Sequence, residues 1–250
     1  ASFRFRVYLK WIQLRLLQND KETYMTPLIE MKQVTKSYGE GNMKVVALHE
    51  TNFQLNAGEF VAIVGPSGSG KTTFLTTLGQ LQEPSGGKIL VKGTETGDLT
   101  EKEKTDLRFK EFGFILQASN LIPFLTVKEQ LDLIDRLDKD KSTKSDRQQL
   151  FDLLDLNKVK NHYPKALSGG ERQRAAIARA LYNNPSIVLA DEPTASLDTQ
   201  RAYQVTDMLA SIAHEQGRGV VMITHDTRLL DKVDRVFIMN DGHLVEEIQA

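Results

Sequence analysis

A glycine-rich stretch in the first third of the chain has the residue types and spacing of a phosphate-binding loop. The segment GPSGSGKTT follows the apolar run FVAIV and precedes a helical pattern. Glycines let backbone N–H groups approach phosphate oxygens, and the N-terminus of the following helix adds a favourable dipole. In the pattern G-x-x-x-x-G-K-T the lysine contacts the terminal phosphates and the threonine hydroxyl ligates magnesium. We therefore predict a magnesium–nucleotide site formed by Gly65, Pro66, Ser67, Gly68, Ser69, Gly70, Lys71, Thr72 and Thr73.

Two adjacent carboxylates at the end of another apolar run can complete this chemistry. In SIVLADEP, Asp191 stands at the end of a predicted buried strand and Glu192 follows it directly. Asp191 is placed to hold the magnesium ion through water, and Glu192 to orient or deprotonate the attacking water. On its own this pair is equally typical of a helix cap after a strand. The phosphate-binding loop is what favours the catalytic interpretation.

A second segment has the features of an anion site. Near the start of ALSGGERQRAAIARAL (residues 166–181), the hydroxyl residue Ser168 is followed by Gly169 and Gly170, and the rest reads as a helix. A hydroxyl, bare backbone and a helix N-terminus together favour an anion. The residues alone do not say whose phosphate this second site holds.

The composition bounds the class of protein. The 250 residues are enough for one large domain with a sizeable core, and the chain carries 32 Lys and Arg against 33 Asp and Glu. This balance argues against a general nucleic-acid binder. The absence of cysteine excludes disulfides, thiolate metal sites and cysteine catalysis.

The start of the chain has its own pattern. FRFRVYLKWIQLRLL is apolar but interrupted by four basic residues, so it matches neither a signal peptide nor a membrane span. We interpret residues 1–27 as a leader that is non-native, translated from upstream or disordered, with Met25 as a natural start. The alternative is a membrane-facing or partner-facing arm.

The order of elements predicts an α/β fold. FVAIVG, FGFIL, SIVLA, GVVMIT and RVFIM read as buried strands. They alternate with helical patterns, which implies a mostly parallel sheet covered on both faces. The stretch from Leu28 to Leu55 reads as an antiparallel flank, and Leu121–Pro164 as helices and polar turns. Within the latter, DRLDKDKSTKSDRQQ is predicted to be a solvated face and loop.

Taken together and in this order, GPSGSGKTT, LSGGERQR, IVLADEPTASLD and MITHD resemble the ATP-binding subunits of ABC transporters. The likeness runs from Leu28 to about Glu247. It implies a P-loop NTPase core of the ABC type across residues 28–250, with a mostly parallel sheet, an antiparallel β flank and a helical subdomain at about residues 121–167. It also implies hydrolysis of Mg-ATP, in which Lys71, Glu192 and His225 are catalytic.

The resemblance assigns further positions. Tyr38 stands where the family stacks an aromatic ring on adenine, and Gln117 where a glutamine contacts magnesium and senses the membrane partner. Asp198 lies where the family couples two subunits, although it also suits a helix N-cap. His225 lies where the family contacts the γ-phosphate, and the strand order places it beside Glu192.

The family also implies an answer for the second anion site. Its subunits pack head to tail as a homodimer, so that Ser168, Gly169 and Gly170 of one copy close on the γ-phosphate held by Lys71 of the other. A ligand that binds only the closed dimer shifts the equilibrium toward it. ATP would then close the dimer, and hydrolysis would release it.

The resemblance also suggests which membrane partner and which cargo ATP hydrolysis would move. ASNLIPFLTVKEQL, after Gln117, is the region where the family docks an integral membrane permease; simple packing is the alternative. We expect a peripheral ATPase at the cytoplasmic face of the plasma membrane, without nucleic-acid partners. The stretch from Leu99 to Leu131 is similar to the group that exports lipoproteins, macrolides or antimicrobial peptides. FGFILQASNLIPFLTVKEQL, together with ADEPTASLDTQRA and MITHDTRLLDKVDRV, resembles more closely the haem-efflux ATPase subunits of Gram-positive bacteria, although Leu116 replaces the phenylalanine common there. A soluble ABC ATPase without a transport role is a further alternative.

Overall fold

The computed structural model describes residues 26–138 and 146–247. Residues 1–25, and with them nearly all of the predicted leader, lie outside the described residues, as does part of the charged stretch. The interpretation of the leader therefore stays a prediction.

The described residues form ten strands in two sheets. The strands are β1 (Ile29–Tyr38), β2 (Val45–Leu55), β3 (Phe60–Val64), β4 (Gly86–Val91), β5 (Thr94–Glu95), β6 (Phe112–Ile115), β7 (Ile187–Asp191), β8 (Gly219–Ile223), β9 (Arg235–Asn240) and β10 (His243–Glu247).

The central sheet has the order β10-β9-β3-β8-β7-β6. Its strands from β9 to β6 pair in parallel, and only β10 is antiparallel. All five predicted buried strands lie here, so the mostly parallel α/β core is confirmed. Since the carboxyl ends of parallel strands meet at one edge, this sheet brings the ends of β3, β6, β7 and β8 together.

Both faces of the central sheet are buried along its inner strands, as their continuous apolar character requires. Along β8, Val220 and Met222 belong to one apolar cluster, whereas Val221 and Ile223 belong to a second one. Successive side chains of a strand point to opposite faces, so the two clusters lie on the two sides of the sheet.

The second sheet is antiparallel, with the order β2-β1-β4-β5. Its first two strands confirm the antiparallel flank predicted for Leu28–Leu55. The pairing of β1 with β4 was not predicted, because β4 begins with Gly86 and Gly87, which read as a turn.

Six α-helices are described: α1 (Lys71–Leu78), α2 (Glu101–Glu111), α3 (Val127–Leu137), α4 (Arg147–Leu153), α5 (Gly169–Tyr182) and α6 (Thr199–His214). Three of them begin with a capping box, in which a Ser or Thr hydroxyl accepts from the backbone N–H three residues on and a Glu accepts in return. The capping residues are Thr100, Thr126 and Ser168. The Ser168 cap explains why α5 begins at Gly169, two residues before the helix predicted from the sequence, which started at Glu171.

Residues 121–167 contain α3, α4 and a 3₁₀ turn at Pro164–Ala166, and no strand within their described part. The prediction of a solvated loop was wrong at one end of the charged stretch. There, Arg147 begins α4 and forms ion pairs with Asp132 and Asp135 of α3. Its three-quarters-buried side chain links the two helices rather than facing solvent. Across the two described segments, no helix combines the length and the apolar character needed to cross a bilayer.

Candidate nucleotide-binding site

The predicted phosphate-binding loop lines a cleft of about 850 Å³ at the carboxyl edge of the central sheet. The loop joins the end of β3 to the start of α1. The cleft is lined by every residue from Gly65 to Thr73, by Gln117, Asp191, Glu192 and His225, and by two segments that the sequence analysis did not single out, Val45–Ala47 and Asp241–Gly242. The structure thus brings together, in this cleft, the residues predicted to bind phosphate and to orient the attacking water.

Two glycines of the loop are required by close backbone contacts. A Cβ at Gly65 would lie 2.1 Å from the carbonyl oxygen of Met239, and one at Gly70 would lie 2.5 Å from that of Ala47. Gly70 also has a φ of 104°, a conformation that L side chains rarely adopt. The loop is therefore packed against β2 and β9 with no room for side chains on that side.

We expect Gly70→Ala to lower the free energy of unfolding by about 2–3 kcal/mol, because it adds backbone strain and a clash with a backbone oxygen. Urea denaturation of the ligand-free protein measures this. Gly68→Ala is the matched control: its φ is 79°, but a Cβ there would have no atom within 4 Å. Strain alone should cost about 1 kcal/mol at that position. Equal losses for the two variants would contradict the packing argument.

Lys71 lies at the start of α1 and is 8% exposed. Its ammonium group donates hydrogen bonds to the carbonyl oxygens of Gly65 (2.8 Å) and Pro66 (2.7 Å), both in its own loop. The ammonium group is thus held beside the cleft, and its N–H groups donate to uncharged carbonyl oxygens, which are weak acceptors. A phosphate oxygen would be a stronger, charged acceptor for the same donors.

Thr72 and Asp191 form the second feature of the cleft. The Thr72 hydroxyl donates to Oδ2 of Asp191 at 3.1 Å, which joins the first turn of α1 to the end of β7. Burial raises the pKa of Asp191, and the carboxylate of Glu192 adds to this, although the Thr72 hydrogen bond and the charge of Lys71 oppose it. A buried carboxylate with a raised pKa is favourable only when a cation is close.

We expect Asp191→Asn to raise the urea midpoint of the ligand-free protein at neutral pH and to weaken Mg-ATP binding. A folded-state pKa above the unfolded value means that stability falls as pH rises through that interval, and the amide avoids this loss. The difference should vanish below about pH 3, where the carboxyl is protonated in both states. Exposed Asp231→Asn serves as the control. A neutral-pH midpoint for Asp191→Asn below that of the parent would contradict this.

Glu192 and His225 face each other at the ends of neighbouring strands. His225 Nδ1 lies 3.3 Å from Glu192 Oε2, as the β7–β8 pairing predicts. Glu192 has a φ of 47°, unusual for a residue with a side chain, and its N–H donates to the carbonyl oxygen of Ile223 at 3.0 Å. Such strained residues persist where the surroundings hold them, and they cluster at functional sites.

Tyr38 is not brought into the cleft. Its ring is 42% exposed, and its hydroxyl donates to the side chain of Gln82. Tyr38 does pair with Val45 across the antiparallel sheet, and Val45 lines the cleft. Tyr38 therefore lies near the rim of the cleft, and its stacking on adenine stays a prediction.

The second predicted anion site also lies outside this cleft. None of Ser168, Gly169, Gly170 and Asp198 is among the residues that line it. Ser168 is exposed and caps α5, and Asp198 caps α6 by accepting from the N–H of Arg201 at 3.0 Å. Within the described part of a single chain, the two predicted phosphate-binding features are therefore separate.

Comparison with known proteins places this site in a family. The family model described as ABC transporter matches residues 48–195, which include the loop and the Asp191–Glu192 pair. HrtA of Staphylococcus haemolyticus, named as a hemin import ATP-binding protein, is 45% identical over 86% of this chain and 98% of its own length. The macrolide export ATP-binding/permease protein MacB of Pasteurella multocida is 40% identical over 88% of this chain, but over only 34% of MacB.

A solved structure extends the likeness to three dimensions. The dimeric ATP-binding cassette MJ0796, in a post-hydrolysis state bound to ADP and Pi, has a TM-score of 0.80 and is 36% identical. The match covers 89% of this chain and all of that one. A curated relative of the same name, from Methanocaldococcus jannaschii, is 39% identical over 88% of this chain and 96% of its own length.

Proposed function

Because this chain belongs to the ABC transporter family and is an ATPase of the ATP-binding cassette type, we propose that it is the motor subunit of a membrane exporter. One observation carries this proposal: the cleft gathers Lys71, Thr72, Asp191, Glu192 and His225, whereas the anion site at Ser168 lies apart from it. The first group suffices to bind and position ATP, and the second needs another chain to take part. We assign the domain to residues 28–250 and its helical subdomain to about residues 121–167.

The residues of the cleft fit a magnesium ion. Thr72, Asp191 and Gln117 supply the oxygen ligands that this hard cation prefers. The raised pKa of Asp191 and the buried Ser69 hydroxyl, which has no hydrogen-bond partner among the described residues, both indicate that a polar ligand is expected here. When bound, magnesium would neutralise charge on the phosphate oxygens of ATP.

Three side chains of the cleft would have separate roles in ATP hydrolysis. Lys71 would transfer its donors from the carbonyls of Gly65 and Pro66 to phosphate oxygens, with little change in position. Glu192 would accept a hydrogen bond, and then the proton, from the water that attacks the γ-phosphorus. His225, 3.3 Å from Glu192, would orient that carboxylate and contact the γ-phosphate on its other side. The products are ADP and phosphate, and the proton leaves through Glu192.

A head-to-tail homodimer would complete the site. Ser168 and the two following glycines present a helix N-terminus that is accessible from outside the chain. A Cβ at Gly169 would meet only the flexible end of Arg172, so the bare backbone there is not explained by tight packing within the chain. The dimeric relative MJ0796 supports this association. We propose that this helix N-terminus of one copy closes on the γ-phosphate held by Lys71 of its partner.

We propose that the partner in the membrane is a separate permease, which holds the subunit at the cytoplasmic face. MacB is named as an ATP-binding/permease protein, and this chain spans about a third of it, so a permease would account for the rest. The segment after Gln117 carries Phe124, whose side chain is 75% exposed. In the proposed complex the permease would cover this exposed apolar side chain.

We propose haem as the cargo, moved outward. HrtA, which matches over nearly its whole length, carries hemin in its name, although that name says import; MacB is named for export. The test is growth of the source cell in haem-containing medium with the native protein, with Glu192→Gln, and with the control Glu215→Gln, whose exposed carboxylate does not line the cleft.

We expect that only the strain with Glu192→Gln becomes sensitive to haem, and that the strains with the native protein and with Glu215→Gln grow normally. Loss of growth on haem as the only iron source, without sensitivity, would reverse the direction and agree with the printed name of HrtA. Equal growth of all three strains in both media would remove haem as the cargo. The name of MacB then favours macrolides as the next compounds to test, followed by antimicrobial peptides and lipoproteins, with the ATPase itself unaffected.

A further inference from the structure

The segment between the nucleotide cleft and α3 is fixed by side chains from two helices. This docking segment, residues 119–125, follows Gln117 of the cleft and carries the exposed Phe124. It has no regular secondary structure, and Asn120 within it has a φ of 45°. A segment of this kind holds one conformation only if other groups satisfy its backbone polar atoms.

Gln130 of α3 supplies one set of these bonds. Its side chain is 1% exposed, and Oε1 accepts from the N–H of Ile122 at 3.2 Å. Nε2 donates to the carbonyl oxygens of Ile122 (2.8 Å) and Leu125 (3.1 Å). Both the oxygen and the nitrogen of the buried amide are therefore bonded to the docking segment, at Ile122 before Phe124 and at Leu125 after it. Truncating a buried group of this kind leaves its backbone partners unsatisfied.

Arg179 of α5 supplies the other set. Its guanidinium donates to the carbonyl oxygens of Asn120 at 2.7 Å and Ser119 at 3.3 Å. Burial lowers the pKa of Arg179, and the described residues offer it no carboxylate within ion-pair distance. Burying a cation whose acceptors are two neutral carbonyls lowers the free energy of unfolding. Stability therefore does not account for this arrangement, and positioning of the docking segment does.

The helix that carries Arg179 is also the helix whose N-terminus forms the second anion site. α5 runs from Gly169 to Tyr182, with Ser168 as its cap. It packs against α3 within one apolar cluster, which contains Leu131 of α3 and Ala178 of α5. The docking segment is thus bonded to two helices that are themselves packed together.

We propose that Arg179 and Gln130 are positioning residues that fasten the docking segment to α5, so that a displacement at Phe124 and one at the Ser168 helix N-terminus occur together. This rests on the proposed function, in which the membrane subunit contacts Phe124 and Ser168 contacts the nucleotide of the partner copy. The bonds from Gln130 and Arg179 would transmit permease movement to the second anion site without passing through the cleft.

Distance measurement between spin labels tests the proposal, and the chain has no native cysteine to interfere. Labels at Phe124→Cys and Lys165→Cys report on the docking segment and on the turn before Ser168, and Val245→Cys on β10 gives a reference in the central sheet. The full chain is measured with and without Mg-ATP. The variants are Arg179→Met and Gln130→Met, alone and combined, with exposed Arg136→Met of α3 as the control.

We expect a narrow 124–165 distance distribution in the parent and in Arg136→Met. Each positioning variant should broaden it about two-fold, because the segment loses the bonds that select one conformation. In the parent, Mg-ATP should move Phe124 and Lys165 together relative to Val245; in the variants Lys165 should move without Phe124. Neither positioning residue lines the cleft, so ATP hydrolysis by the isolated subunit should stay within about two-fold of the parent.

Unchanged 124–165 distributions in both folded single variants would overturn the proposal, and so would a parent in which Lys165 moves and Phe124 does not. Failure of the proposed function is recognised separately. A labelled parent that does not hydrolyse ATP speaks against the motor role, whereas the 124–165 distance without nucleotide still reports whether Arg179 and Gln130 hold the segment.

Discussion

Replacing Glu192 by glutamine lowers the rate of ATP hydrolysis about 10²–10⁴-fold, while ATP binding persists. The amide keeps the size of the side chain and can still contact water, but it cannot accept a proton at neutral pH. The carboxylate lies at the end of β7, on the cleft and 3.3 Å from His225, with a strained backbone that orients it. Steady-state phosphate release measures the rate, and fluorescent nucleotide titration measures the binding.

The exposed carboxylate of Glu215 provides the matched control for this variant. Glu215→Gln makes the same chemical change at a residue that does not line the cleft, and it should leave the hydrolysis rate within about two-fold. A Glu192→Gln protein that hydrolyses ATP at the parental rate would show that another group accepts the proton. The assignment of Glu192 would then be wrong, although the phosphate-binding loop would keep its role.

Replacing Lys71 by alanine has the second large effect, because it removes both binding and catalysis. The ammonium group is the buried cation that the loop holds beside the cleft. Charge-assisted hydrogen bonds contribute about 1.5–3 kcal/mol each, so ATP affinity should fall about 10–100-fold. Loss of the same charge from the transition state should lower kcat about 10²–10³-fold.

Isothermal titration and phosphate release separate these two effects of Lys71→Ala. The control is Lys128→Ala, which removes an exposed ammonium group from α3. The alanine at position 71 also leaves the carbonyls of Gly65 and Pro66 without their donor, so a thermal melt is needed to show that the variant is folded. A folded Lys71→Ala protein with parental turnover would place the activity outside this cleft.

Local sequence patterns predicted most of the core because the physics that determines it is local. A strand buried on both faces must be largely apolar, and the five apolar runs of the sequence are β3, β6, β7, β8 and β9, of which β9 exposes Ile238. The loop between β3 and α1 was equally predictable, since a Cβ at Gly65 or Gly70 would lie within 2.5 Å of a neighbouring backbone oxygen, which requires glycine there. Because β3, β6, β7 and β8 were predicted to be parallel, their carboxyl ends were expected at the same edge of the sheet, where the cleft lies.

The features that were missed depend on contacts between distant segments. Asp241 and Gly242 line the cleft because the turn between β9 and β10 bonds to the loop, with the N–H of Gly242 donating to the Ser69 carbonyl oxygen at 2.8 Å. In the sequence they read as an ordinary turn. The Arg147 ion pairs to α3 were hidden in the same way, because a charged stretch looks solvated until its partners are known.

The second anion site shows a different limit of prediction. The sequence predicted a helix directly after Ser168, Gly169 and Gly170, and the structure begins that helix two residues earlier, at Gly169, with Ser168 as its cap. Its ligand does not follow from one chain, since none of its residues lines the cleft in which Lys71 lies. The resemblance to ABC transporters supplied the head-to-tail arrangement, which stays a proposal for this protein.

Light scattering of the Glu192→Gln protein during size exclusion, with and without Mg-ATP, measures directly whether ATP brings two copies together. We expect the 28.1 kDa mass of a single chain without nucleotide and about twice that mass with ATP, because the variant binds ATP and does not release the dimer by hydrolysis. Adding Gly169→Asp should abolish the dimer while ATP still binds. A single-chain mass at every saturating ATP concentration, or a dimer that is unaffected by Gly169→Asp, would contradict the proposed sandwich of two ATP molecules between two copies.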